Sequence, residues 1–292
     1  MHEHNSKTLG WTILLNLAIT VAEYIGGIFS GSLALLSDAG HNLSDALSLG
    51  LSLFGERISE KKATERHSFG FKRVEIFTAL INALALWGVG FYILFEAFKR
   101  LRAQQNISLG LMLGVAAIGL VGNLVSIMVL NKDKENNLNM KSAYLHLFYD
   151  TISSVAVILS AVIIYFTGWS VLDTIVSIFI ALMIFWSGFG IIKKAVHIFM
   201  QGVPDDIDSE EVYRSIISIK GVKSAHSIHI WSINSNEVFL SCNICLDKEI
   251  MTKNSDNLIK KINTMLEKKF SINHTTIQIE NKRICSGNKC CK

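Results

Sequence analysis

Proline is nearly absent from this chain. Of 292 residues only Pro204 is one. The elements before it are free of the ring that removes a backbone donor and clashes with the preceding turn. Charge is scarce as well. Asp, Glu, Lys and Arg make up 18% of the residues, against 50% hydrophobic ones and a mean hydropathy of +0.38. That balance excludes an ordinary soluble domain. The five cysteines, Cys242, Cys245, Cys285, Cys290 and Cys291, all follow Pro204. In a reducing compartment they are expected as free thiols or metal ligands rather than structural disulfides. No basic stripe with interleaved aromatics occurs, which excludes a nucleic-acid surface, and the net charge of +4 needs no such partner. The first apolar run has no arginine-rich lead and no small-residue cleavage site, and Glu23 interrupts it. It reads as a retained membrane span, not a signal peptide.

What the chain does have is long apolar stretches. Six segments reach the roughly 20 residues needed to cross a bilayer as a helix. They are residues 10–29, 33–54, 75–97, 108–130, 143–166 and 171–192. Placing the N-terminus in the cytoplasm puts Lys7, Arg57, Lys61, Lys62, Arg66, Lys72, Arg73, Lys132, Lys134, Lys141, Lys193 and Lys194 inside. Only Lys99, Arg100 and Arg102 are then left outside. The positive-inside rule favours this orientation, with both termini cytoplasmic.

Two His-x-x-x-Asp patterns lie within these spans, His41…Asp45 and His146…Asp150, and none of the other histidines is followed by Asp at that spacing. An ionisable group in hydrocarbon costs about 2.5 kcal/mol or more, so its presence signals function. Residues four apart share a helix face, so each pair can chelate. Two imidazole nitrogens and two carboxylate oxygens suit tetrahedral Zn²⁺, and also Co²⁺ or Cd²⁺. Fe²⁺ prefers more oxygen ligands, and its efflux by the same mechanism stands as an alternative with cadmium and cobalt. The two carboxylates neutralise a divalent ion, whereas an empty, ionised site in a low dielectric is costly. The site is therefore expected to take up protons as metal leaves, which couples metal to proton exchange. Asp38, one turn before His41, is a residue of the ion path or a helix-packing group, and Asn123 and Asp173 are read as packing or supporting groups.

Pro204, in Gly-Val-Pro-Asp-Asp, divides a membrane domain (1–203) from a small mixed domain (204–284), followed by a cysteine-bearing tail (285–292). Within the second domain residues 208–219 are helical, with Asp208 as N-cap. Residues 222–231 and 236–246 are strands joined at Asn234-Ser-Asn, 255–269 a helix and 275–280 a third strand. Val238, Leu240, Cys242, Ile244 and Leu246 alternate onto one face. The fold class is thus a six-helix transmembrane bundle followed by an open α+β, ferredoxin-like domain.

These residues in context resemble the cation diffusion facilitator family, in its zinc-transporting branch. The resemblance rests on Gly31-Ser-Leu-Ala-Leu-Leu-Ser-Asp-Ala-Gly-His41-Asn-Leu-Ser-Asp45, Phe69-Gly-Phe-Lys-Arg-Val-Glu75, Gly122-Asn123-Leu-Val, His146-x-x-x-Asp150, Asp173-x-x-x-Ser177, His226-Ser-Ile-His229-Ile-Trp231 and Thr276-Ile-Gln-Ile-Glu280. It implies a metallochaperone-like cytoplasmic domain, a homodimer, and proton-coupled efflux of a divalent metal, zinc first. It also implies secondary metal ligands at His226, His229 and His274, in the basic loop at His67, and in the tail at Cys290 and Cys291. The family's histidine in the second strand is replaced here by Ser241-Cys242-Asn243. No organic cofactor and no enzymatic activity are implied. The short loop between spans four and five, without a His-rich insertion, fits a bacterial plasma membrane.

Two other classes fit the sequence less well. An intramembrane aspartyl protease needs a second Asp in Gly-x-Gly-Asp, which does not occur; Tyr149-Asp150 is its sole echo. A metal sensor that does not transport leaves four ionisable groups in the bilayer unexplained.

Overall fold

The structure is a computed structural model. It describes the backbone of residues 2–102, 106–130, 138–246 and 252–280. The side chains of 2–13, 45, 46, 48, 49, 52, 53, 56, 129, 130, 138–143, 145, 146 and 252–254 lie outside the described residues.

Six long helices come first: α1 (His2–Ser30), α2 (Leu33–Ser59), α3 (Val74–Arg100), α4 (Leu109–Leu130), α5 (Leu138–Thr167) and α6 (Val171–Phe199). Among the described residues, Val74–Arg100, Leu109–Met128, Leu147–Thr167 and Val171–Phe199 are long and apolar enough to cross a membrane, and Leu14–Ser30 is a shorter apolar stretch. The 27-residue α2 carries Ser37, Asp38, His41, Asn42 and Ser44 in its first half, which dilutes its hydropathy.

The chain divides into two compact units. One comprises Met1–Leu53 with Ala79–Ile192, the other Phe54–Thr78 with Lys193–Lys292. In the first, α1 packs on α4 and α4 on α5. Its apolar core joins Ala34 and Leu35 of α2 with Leu86, Met112, Val157 and Ile184 of the following helices. Large apolar side chains point outward: Trp186 is 87% exposed and Phe166 80%. Polar ones are buried, among them Glu23, Asp38, Asn42, Asn123 and Asp150. An apolar surface around a polar interior is unfavourable in water and favourable in lipid.

Helix α2 starts on a cap supplied by α6. Asp173 Oδ2 accepts from the Leu33 amide (2.7 Å), and its Oδ1 accepts from Ser32 Oγ (2.6 Å) and the Ala34 amide (3.3 Å). Two of the amide donors that begin the helix, and the Ser32 hydroxyl, are satisfied by one carboxylate, whose charge also favours that end of the dipole.

The second unit contains α7 (Ser209–Ile217), β1 (Val222–Ser232), β2 (Val238–Leu246), α8 (Thr252–Phe270) and β3 (Ile272–Glu280). Asp208 caps α7, accepting from the Glu210 amide at 2.9 Å. The Asn234 side chain shapes the hairpin by accepting from the Asn236 and Glu237 amides. The sheet order is β1-β2-β3, with β1 antiparallel and β3 parallel to β2. Leu240, Cys242, Ile244 and Leu246 of β2 pack with Val212 and Ile216 of α7 and with Leu258, Ile262 and Leu266 of α8. This is the period-2 face meeting two period-3.6 faces. The loop before α3 belongs to the same unit: Lys72 is ion-paired with Glu237, and Phe69 meets Phe239 edge-on with ring centroids 5.5 Å apart.

Candidate metal centre

In the helical unit, α2 and α5 meet through polar groups. Asp150 is fully buried, and its Oδ1 lies 3.9 Å from Nε2 of His41, which is 15% exposed. One turn earlier on α2, Asp38 accepts from Ser153 Oγ and, at 3.4 Å, from Ser154 Oγ, both on α5. Asp38 therefore ties the two helices together beside the His41–Asp150 pair. Asp45 and His146 sit one helical turn along from His41 and Asp150, on α2 and α5; their side chains lie outside the described residues.

Glu23 of α1 enters the same polar interior. Fully buried, it accepts from Asn42 Nδ2 at 3.0 Å, which links α1 to the residue next to His41. Its Oε1 has no hydrogen-bond partner among the described residues and lies against Gly119 of α4, where an added Cβ would stand 2.2 Å away. The Asn123 carboxamide, also fully buried, has no partner among the described residues at either atom. A buried polar group without a partner costs about 1–3 kcal/mol. Such a group suits a passage that water or an ion visits. Asp173, by contrast, is committed to the α2 cap. The sequence marked Glu23 only as an interruption of an apolar run. A carboxylate within an apolar run was the available signal that it joins this interior.

In the C-terminal unit the secondary candidates separate. His226 Nε2 lies 3.2 Å from Glu280 Oε2, while Asn243 Nδ2 donates to Glu280 Oε1 at 2.8 Å. His226 pairs with Asn243 across β1 and β2, and Cys245 with Glu280 across β2 and β3. Donor atoms of His226, Cys245 and Glu280 fall within 4.8 Å of one another. Glu280 was not among the expected ligands, because its place beside His226 depends on β3 lying parallel to β2. The expectation of free thiols is corrected at Cys245, which is disulfide-bonded. A sulfur in a disulfide is no thiolate ligand, so in this state the group offers an imidazole and a carboxylate. Cys242 is a buried free thiol, and burial raises its pKa to about 11.

His229 does not join His226. The strand is irregular between them, Ser227 has φ 51°, and His229 pairs with Ser241. His274 is stacked on Phe239 (centroids 4.5 Å apart, planes at 6°), which in turn stacks on Trp231. His67 packs on Phe71, its Nδ1 3.4 Å from Thr64 Oγ1. His67 and His229 line one cleft away from the His226 group. Cys290 and Cys291 lie outside the described residues.

Residues 11–200 match the cation efflux transmembrane domain, and residues 204–282 match the cytoplasmic domain of cation efflux proteins. The chain belongs to the cation efflux family. It is 40% identical to the cadmium, cobalt and zinc/H(+)-K(+) antiporter of Bacillus subtilis, over 96% of this chain and 91% of that one. It is 37% identical to the metal cation efflux system protein CzcD of Cupriavidus metallidurans, covering 96% of this chain and 89% of that one. It is 33% identical to the zinc transporter ZitB of Pectobacterium atrosepticum, over 99% and 91%. A member of this family with a polar-lined helical unit is a membrane transporter of cations, not an enzyme.

Proposed function

We propose that this protein exports a divalent metal ion, zinc foremost, in exchange for protons, through one site formed by His41 and Asp45 of α2 with His146 and Asp150 of α5. The observation that carries this reading is the approach of His41 to Asp150 across two helices in the buried polar interior. Each residue brings its helix's i,i+4 partner in sequence, giving two nitrogens and two carboxylates, a donor set matched to tetrahedral Zn²⁺. Cadmium and cobalt fit the same donors, and similar proteins are named for all three metals. Emptying the site leaves carboxylates in a low dielectric, where protons replace the metal's charge.

The remaining assignments follow the same reading. Residues 1–203 form the transport domain, and residues 204–284 a cytoplasmic domain through which two copies pair as a homodimer. Both termini face the cytoplasm, and the membrane is a bacterial inner membrane. His226 and Glu280 form a secondary zinc site, with Cys245 joining when reduced. His67, His229 and His274 stand apart from that pair, and Cys290 and Cys291 are further candidate metal ligands in the tail. Asn123 and Asp38 line or support the ion path. Reconstituted vesicles with an imposed pH difference test the proposal. Zinc flux that requires both the gradient and Asp150 supports it; flux in Asp150→Ala equal to wild type overturns it.

A further inference from the structure

The C-terminal unit holds a cleft of about 880 Å³ between the loop before α3 and the β1–β2 face of the sheet. Two arginines line it, Arg66 and Arg73, with His67 and His229, and no carboxylate does. Lys72, between the two arginines in sequence, is already neutralised by Glu237. Arg66 and Arg73 have no acidic partner among the described residues. The rest of the lining is largely apolar, including Phe69, Phe71, Val74, Ile228 and Trp231. Two unneutralised guanidinium groups beside an apolar wall match an anion that carries a hydrocarbon body. Guanidinium is the side chain best shaped to grip phosphate. The volume is within the range of small-molecule sites.

Chain continuity says where such a ligand comes from. Arg73 and Val74 stand at the start of the span Val74–Arg100, and Gln201 and Val203, also in the lining, follow directly on the end of Val171–Phe199. The lining is thus continuous in sequence with two membrane-span ends, where basic pockets attract anionic lipid. We infer that this cleft binds the phosphate headgroup of an anionic phospholipid through Arg66 and Arg73, with the adjoining acyl carbons against Phe69, Phe71 and Trp231.

The full-length protein in detergent, titrated with phosphatidylglycerol, phosphatidylcholine or glycerol 3-phosphate and read by native mass spectrometry, tests this. Phosphatidylglycerol is expected to bind at about tenfold lower concentration than phosphatidylcholine, because the choline cation cancels the phosphate charge that the two arginines attract. The preference is expected to vanish in Arg66→Gln/Arg73→Gln and to survive in Lys193→Gln/Lys194→Gln, which removes the same charge elsewhere. Equal loss in both double variants overturns the site, as does an unchanged preference in the arginine variant. Glycerol 3-phosphate binding as tightly as the lipid overturns the lipid in favour of a soluble anion. A photoactivatable phosphatidylglycerol on the wild-type protein gives an answer independent of mutant folding. Crosslinks within 66–74 and 228–233 support the cleft, and their absence there overturns it.

Discussion

Nε2 of His41 and Oδ1 of Asp150 stand 3.9 Å apart on different helices. That is too far for a hydrogen bond. Two donors each about 2.1 Å from one tetrahedral zinc lie about 3.4 Å apart, so metal requires the pair to close by roughly half an ångström. Asp150→Asn keeps the shape and removes the charge. It is expected to weaken zinc binding at the membrane site by more than about a hundredfold, beyond what losing a supporting group costs. Calorimetry on purified protein carrying His226→Ala, which silences the secondary site, checks this.

Gly119 gives the Glu23 carboxylate its room. Gly119→Ala places a Cβ 2.2 Å from Glu23 Oε1 and forces the carboxylate off Asn42. The expected cost is about 1–3 kcal/mol, as for other overpacked interiors. Gly114, on the same helix, has nothing within 4 Å of an added Cβ. Gly114→Ala is expected to leave stability unchanged or raise it by up to about 1 kcal/mol. Thermal unfolding of the two variants in the same detergent compares them directly.

Asp173 tests whether a buried carboxylate belongs to the ion path or to the scaffold. As the cap of α2 it accepts from two backbone amides and Ser32. Asp173→Ala is expected to lower stability by about 1–2 kcal/mol, with zinc affinity within about twofold of wild type once the protein is folded. A large loss of affinity without loss of stability would move Asp173 to the ion path.

Burial of Cys242 in the sheet core disfavours its thiolate, so its pKa rises from 9.0 to about 11. At pH 8 about one molecule in a thousand carries the reactive form. Peptide-resolved alkylation with iodoacetamide is expected to be slow at pH 8 and to rise about tenfold per pH unit up to pH 10. Because the folded pKa lies above the unfolded one, this group's contribution to stability is complete below pH 9 and is lost between pH 9 and 11.

The helices and the small domain were readable because their signals are local. Asp208 caps where Ser/Asp-type residues cap, and the β2 alternation from Val238 to Leu246 faces α7 and α8 as its period requires. Contacts set by how elements turn toward one another were not readable. Glu23 meets Asn42 because of the rotation of α1 against α2, which hydropathy does not encode. Glu280 meets His226 through a parallel β2–β3 register, while His274 on the same strand is taken up by Phe239. The family resemblance implied that His226 and His229 serve together as metal ligands. The irregularity between them directs His229 elsewhere.

The central claim is that nitrogen and oxygen donors from α2 and α5 hold one metal ion in place of protons. X-ray absorption of the zinc-loaded His226→Ala protein, combined with a proton count on loading, tests it most directly. The account predicts one zinc per chain with a shell of nitrogen and oxygen at about 2.0–2.2 Å, no sulfur at about 2.3 Å, and protons released as zinc binds. That shell should be absent in His41→Ala and in Asp150→Ala. A sulfur-containing shell, or one unchanged in both variants, would contradict it.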